Sequence, residues 1–177
     1  MNPAPLPPGD PFSDPFRDTV YAVENAASPD GGRRFRRFAA LESYVESVTT
    51  GVWWEQSFPA APIEVDVIRR SRGATFSAAH VSADGDSAVV WIRDGSWDAV
   101  TVVHELAHIA SVGPASVGRA SLGRAGAGAG DPTGAHGCEF ATALLQLWRE
   151  LLGVHAYGAL RSGLDDHGVP YRRDRLG

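Results

Sequence analysis

The segment from Trp97 to Ser111 constrains the fold of this chain more than any other, because it predicts a helix that is apolar on most sides. Its apolar positions are Val100, Val102, Val103, Leu106, Ile109 and Ala110. Ser96 can cap the start of this helix, with Asp98 in its first turn. A helix of this kind is normally buried in the middle of a domain. The rest of the chain is therefore expected to pack around it.

The same helix carries the pattern HExxH, as His104-Glu-Leu-Ala-His108. Residues four apart lie one above the other on a helix face, so both imidazoles can reach one metal ion. Glu105 is rotated by about 100° from His104 and lies beside the ion. There it can take a proton from a water whose pKa the metal has lowered to about 7. The pattern predicts a zinc site with His104 and His108 as ligands and Glu105 as the catalytic base.

A catalytic zinc site needs a third protein ligand and leaves one position open. The best candidate is His136, which opens the stretch HGCEF at the predicted start of the next helix. Glu139 is the alternative ligand and His155 a more distant one. Whichever of His136 and Glu139 does not bind the metal is expected to orient a histidine. A metzincin site is excluded, because Ser111 and Pro114 stand where that pattern requires glycine and histidine.

Strand and helix patterns flank the central helix. The strands are predicted at residues 63–67, 74–81 and 87–92. The other helices are predicted at residues 17–27, 33–48, 137–152 and 155–166. We therefore expect an α+β fold in which a small, mostly antiparallel three-stranded sheet packs on the buried HExxH helix, with further helices before and after it. Strand 87–92 is expected to be an edge strand that lies along the cleft and pairs with an extended substrate.

One domain, residues 17–169, is expected to contain the fold. Six of the twelve prolines lie between Pro3 and Pro15, which predicts that residues 1–16 form a disordered arm. Seven glycines and six alanines in residues 112–135 predict a long loop before His136. Residues 170–177 are predicted to be an arginine-rich tail.

Composition excludes several functions. The single cysteine, Cys138, rules out an internal disulfide and a zinc ribbon. A formal charge of −5 argues against a general nucleic-acid binder, and the arginines at 33, 34, 36 and 37 are interpreted as a solvated helix start. No segment is apolar enough to span a membrane and no signal peptide is recognisable. A cytoplasmic protein with a peptide or protein substrate is expected.

The HELAH helix, followed by a glycine-containing loop and HGCEF at 136–140, resembles the SprT-like (Spartan-type) zinc metallopeptidases. Residues 17–169 resemble more closely a family of metallohydrolases typical of actinobacteria. This likeness includes Val20-Tyr-Ala-Val-Glu24 and the stretch HGCEFATALLQL. The resemblance implies a zincin-like fold and a bound zinc ion. The chain departs from the SprT-like crosslink proteases, because its one cysteine cannot supply the zinc ribbon that they usually add.

Together these features predict a zinc-dependent metallohydrolase, more specifically a metallopeptidase that hydrolyses amide bonds with metal-activated water. The alternative is a zinc-stabilised binding module without catalytic turnover. Glu105 favours the enzyme, because a purely structural zinc site needs no base and usually has four protein ligands.

Overall fold

The computed structural model describes residues 14–28, 30–112 and 135–176. Helices and strands together confirm the predicted α+β class. In chain order, the elements are α1 (Arg17–Ala27), α2 (Phe38–Thr49), α3 (Val52–Ser57), β1 (Glu64–Arg70), β2 (Ala78–Val81), β3 (Ser87–Arg93), α4 (Ala99–Ala110), α5 (Cys138–Leu147) and α6 (Val154–Asp166). A π-helical turn, Trp148–Leu152, joins α5 to α6, and a 3₁₀ turn, Arg173–Arg175, follows α6.

The three strands form a mixed sheet in the order β1-β3-β2. β1 is parallel to β3, whereas β2 and β3 form an antiparallel hairpin with Gly85 in its turn at a φ of 82°. The prediction of a mostly antiparallel sheet is therefore wrong for the β1–β3 pair, and β3 is the central strand rather than an edge. Alternating apolar residues reveal a buried face but not the neighbouring strand. Here β2 reverses the chain, so that β3 can enter between β1 and β2.

Helix α4 is buried, as its sequence predicts. Val102, Val103 and Leu106 are fully buried, and α4 packs against α5 on one side and against β2 and β3 on another. The helix begins at Ala99, two residues later than predicted, because the cap is Asp98 and not Ser96. The Oδ1 atom of Asp98 accepts a hydrogen bond of 2.9 Å from the backbone N–H of Thr101.

The segment before α2 differs from its prediction. Helix α2 begins at Phe38, because residues 33–35 instead pair with residues 97–99. The backbone N–H of Phe35 donates to the carbonyl of Trp97 at 2.9 Å, and that of Ala99 donates to the carbonyl of Arg33 at 2.8 Å. The arginines at 33, 34, 36 and 37 therefore precede the helix instead of forming its first turn.

The described parts of the predicted arm and of the predicted tail, residues 14–16 and 170–176, contact the domain. Phe16 packs against the hydrophobic core, and Leu176 is buried beside it. Most of the predicted arm and nearly all of the 112–135 loop lie outside the described residues. Within the described ranges, no helix combines the length and apolar character needed to cross a membrane.

Candidate metal centre

Helix α4 places His104 and His108 on one face, with their ring centroids 5.1 Å apart. The helix is continuous from Ala99 to Ala110, so the spacing of four residues in the sequence becomes one turn in space. His104 is 3% exposed, and His108 lies nearer the surface. The buried imidazole of His104 requires a polar partner in this apolar interior, and another part of the chain supplies one.

His136 joins the two helix histidines from a different part of the chain. It lies directly before α5, whose N-cap is Gly137, and the packing of α5 on α4 brings its ring to the α4 face. One ligand atom from each of the three histidines lies within 4.8 Å of the other two. Phe140, in the first turn of α5, is buried against all three rings, at centroid distances of 4.4 to 5.1 Å. The structure therefore brings the three predicted ligands together.

Two carboxylates orient two of these imidazoles. Glu24 Oε2 lies 2.7 Å from His104 Nδ1, and Asp14 Oδ2 lies 2.5 Å from His136 Nδ1. An ionised carboxylate can only accept a hydrogen bond, so each Nδ1 carries the proton and each neutral ring has its lone pair on Nε2. The two Nε2 atoms are 3.2 Å apart. Two lone pairs at that distance repel each other unless a proton or a metal ion lies near both.

The buried negative charge of these carboxylates also calls for a cation. Each uses one oxygen on its histidine, and the other oxygens, Asp14 Oδ1 and Glu24 Oε1, are buried with no hydrogen-bond partner in the described part of the chain. Glu105, 3% exposed, adds a third buried carboxyl group. Three converging imidazole nitrogens, two of them backed by carboxylates, are a donor set that suits zinc. The residues present therefore fit the predicted ion.

The pKa values of the three histidines diverge. Burial alone would lower the pKa of His104, but the charge of Glu24 and its hydrogen bond outweigh that effect and raise it. Burial lowers the pKa of His136 despite its hydrogen bond to Asp14. Burial, with His104 and His136 nearby, lowers the pKa of His108 to well below its ordinary value. In the absence of a metal, His104 is therefore the ring that holds a proton most readily.

The buried position of Glu105 changes the protonation of its carboxyl group. Burial raises its pKa to about 7, although the neighbouring His104 acts in the opposite direction and Glu24 adds to the rise. A carboxylate removed from water in this way accepts a proton far more readily than an exposed glutamate does.

Tyr21, on α1, covers His104. The two rings are stacked, with centroids 4.6 Å apart and an angle of 21° between their planes. Burial, with the charges of Glu105 and Glu24, raises the pKa of Tyr21 above its ordinary value. Its hydroxyl therefore stays protonated at neutral pH. The residue is 36% exposed, so part of it contacts solvent.

The alternative ligands lie outside the histidine cluster. Glu139, in the first turn of α5, accepts hydrogen bonds from Arg172 and Arg175 of the C-terminal segment. His155 is exposed on α6. Neither belongs to the group of residues whose ligand atoms converge.

Asp14, Tyr21 and Glu24 are absent from the sequence-based candidates. A signal existed for Glu24, because it is the charged residue on the buried stripe of α1, beside Val20 and Val23. Asp14 offered none, since it lies among prolines at the end of a segment predicted to be disordered.

Comparisons of the chain with models of protein families, with curated proteins and with solved structures give no match. The likeness to the SprT-like peptidases rests on the motifs quoted above.

Proposed function

We propose that this protein is a zinc-dependent hydrolase of amide bonds, a metallopeptidase with a zincin-like arrangement similar to that of the SprT-like peptidases. The observation that carries the proposal is the convergence of His104, His108 and His136 next to the buried carboxyl group of Glu105. Three histidine ligands leave a fourth position for water or substrate, as catalytic zinc sites require.

The residues of the centre have separate roles in the proposed reaction. Zinc, when bound by the three histidines, supplies a Lewis acid that polarises a carbonyl group and activates water. Glu105 takes the proton of the attacking water and passes it to the leaving amine, because its carboxyl group is buried beside His104 on α4 and burial raises the pKa of that group. Glu24 and Asp14 fix the orientation of His104 and His136 through the Nδ1 atoms.

Of the two edge strands in the described sheet, β2 is the better placed to pair with a peptide substrate. β2 bonds to β3 on one side only and lies against α4, the helix that carries the catalytic residues. Its outer edge therefore takes the substrate-pairing role expected of the 87–92 strand, which β3 cannot perform because it is paired on both sides.

The proposal is tested by metal content and by hydrolysis of a quenched-fluorescence peptide library. We expect one zinc per purified chain, and a fall in rate of about 10²- to 10⁴-fold in Glu105→Gln, which keeps its zinc. Glu139→Gln is the matched control, because it removes the same charge from a carboxylate outside the cluster and should keep both zinc and activity. A wild-type protein without stoichiometric metal, or an unchanged rate in Glu105→Gln, would contradict the proposal.

A zinc-stabilised binding module is the second candidate function. It is favoured by the fact that an ion held by His104 and His136 would link α4 to α5 across 32 residues of sequence. Under this alternative, chelation lowers the melting temperature, and the wild type hydrolyses no peptide of the library. The rate of the wild type therefore decides between the two.

A further inference from the structure

The ends of β1 and β3 carry arginines that the sequence does not place together. Arg34 reaches this end from the segment before α2, while Arg69 and Arg72 belong to the end of β1 and the turn after it. With Trp97 and Asp94 they line a pocket of about 390 Å³. None of these residues belongs to the histidine cluster, so the pocket is separate from the proposed metal centre.

The pocket has an excess of positive charge. Its one carboxylate, Asp94, is bound by two nitrogens of Arg69, at 2.7 and 3.0 Å. Arg72 is near enough to Asp94 to interact with its charge, but neither Arg34 nor Arg72 forms an ion pair with any residue in the described ranges. Arg34 instead donates to the carbonyl of Gly95 at 3.4 Å, a contact that positions the guanidinium without neutralising it. Two guanidinium groups therefore remain available to an anion.

Aromatic rings lie among these arginines. The guanidinium of Arg69 lies over the ring of Trp97, 5.1 Å from its centroid. Phe76, on the same β1–β2 connection as Arg72, is 44% exposed under the guanidinium of Arg70. Trp97 is half-buried, so Phe76 is the exposed ring that offers a stacking surface to a planar group such as a nucleobase.

We infer that this pocket binds a phosphate group, held by Arg34 and Arg72. A phosphate monoester carries a charge of about −1.5 to −2 at neutral pH, which matches the two unpaired guanidinium groups better than the single charge of a carboxylate does. The phosphate can belong to a free phosphorylated molecule or to a single nucleic-acid strand. The inference does not depend on the proposed hydrolase, because it uses none of its residues.

Binding of inorganic phosphate, pyrophosphate and a fluorescein-labelled ten-residue oligothymidine tests the inference on the full chain. We expect at least one of them to bind, and the Arg34→Gln/Arg72→Gln double variant to lose at least about tenfold in affinity, as removal of two charge-assisted hydrogen bonds implies. The matched control is Arg173→Gln/Arg175→Gln, which removes two charges from the C-terminal segment and should bind like the wild type. Circular dichroism checks that each variant is folded. The Arg34→Lys/Arg72→Lys double variant keeps both charges and should recover part of the affinity.

The three ligands distinguish the source of the phosphate. Tighter binding of pyrophosphate than of the oligonucleotide indicates a small phosphorylated ligand. Tighter binding of the oligonucleotide indicates a nucleic-acid strand. In that case the slope of log affinity against log salt concentration should become shallower by about 0.7 for each phosphate contact that a substitution removes. Absence of binding by all three, an equal loss in the control, or tighter binding of a hexaglutamate peptide would each overturn the inference.

Discussion

The candidate metal centre has two halves that arise differently. In the helix half, His104, Glu105 and His108 lie within five residues of α4, and helical geometry alone sets their positions. In the assembled half, His136 comes from the start of α5, Glu24 from α1, and Asp14 from the segment before α1. In the proposed zinc site, the helix half would provide two ligands and the base, whereas the assembled half would provide the third ligand and both carboxylates that orient the imidazoles.

The assembled half depends on the packing of α1. Phe16 and Val20 anchor the start of this helix against the core, and the N–H of Val20 donates to the carbonyl of Phe16 at 2.8 Å. These contacts hold Asp14 and Glu24 at the rings that they orient. The helix half forms wherever α4 forms, but the assembled half forms only in the complete tertiary structure.

The largest expected effect tests whether the two halves bind one ion. Zinc binding should weaken strongly in each of three variants, His104→Ala, His108→Ala and His136→Ala. Loss of a residue that only orients a ligand costs about 10- to 100-fold in affinity, and loss of a ligand should cost more. Competition with a chromophoric chelator measures this affinity. His155→Ala, on the exposed face of α6, is the control and should bind zinc like the wild type. Wild-type affinity in His136→Ala would show that the helix half binds metal without the assembled half.

The fold could be predicted from the sequence where its determinants are local. The apolar residues of α4 predicted a buried helix, and the β-branched run after the turn at residues 84–85 predicted the 87–92 strand. The parallel β1–β3 pairing could not be predicted, because strand order depends on contacts between distant residues. The late start of α2 has a similar cause, since residues 33–35 pair with residues 97–99.

The site follows the same division. HExxH fixed His104, Glu105 and His108 because one helical turn relates them, and the stretch HGCEF nominated His136. Nothing local links Asp14 to His136, which lies 122 residues later. Roles that depend on tertiary packing therefore could not be predicted from the sequence. This holds even for Glu24, although the sequence shows it as a charged residue on an apolar stripe.

A smaller effect compares the two carboxylates of the assembled half. Asp14→Asn and Glu24→Gln keep the shape of each side chain but remove the charge that orients the imidazole and raises its basicity. Each should weaken zinc binding by about 10- to 100-fold. Asp18→Asn, at an exposed position of α1, serves as the control. Unchanged affinity in both variants would mean that the assembled half contributes His136 alone.

The pH dependence of zinc binding should distinguish the halves further. Because Glu24 raises the pKa of His104, this ring gains a proton first as the pH falls, and that proton competes with zinc. Affinity should then fall by about tenfold per pH unit for the one proton displaced. Glu24→Gln removes the cause of the raised pKa, so the fall should begin at a lower pH. The same titration midpoint in both proteins would contradict this assignment.

The smallest effect concerns Tyr21, which belongs to the assembled half through α1 but touches the helix half through its stack on His104. Stacked aromatic pairs contribute about 0.5–1.5 kcal/mol beyond their buried area, so Tyr21→Ala should weaken zinc binding by about two- to tenfold. Tyr21→Phe keeps the ring and should bind zinc like the wild type, because the hydroxyl is not needed for the stack. If both variants lose affinity equally, the hydroxyl rather than the ring acts on the centre. That result would make Tyr21 a polar member of the assembled half instead of an apolar cover over His104.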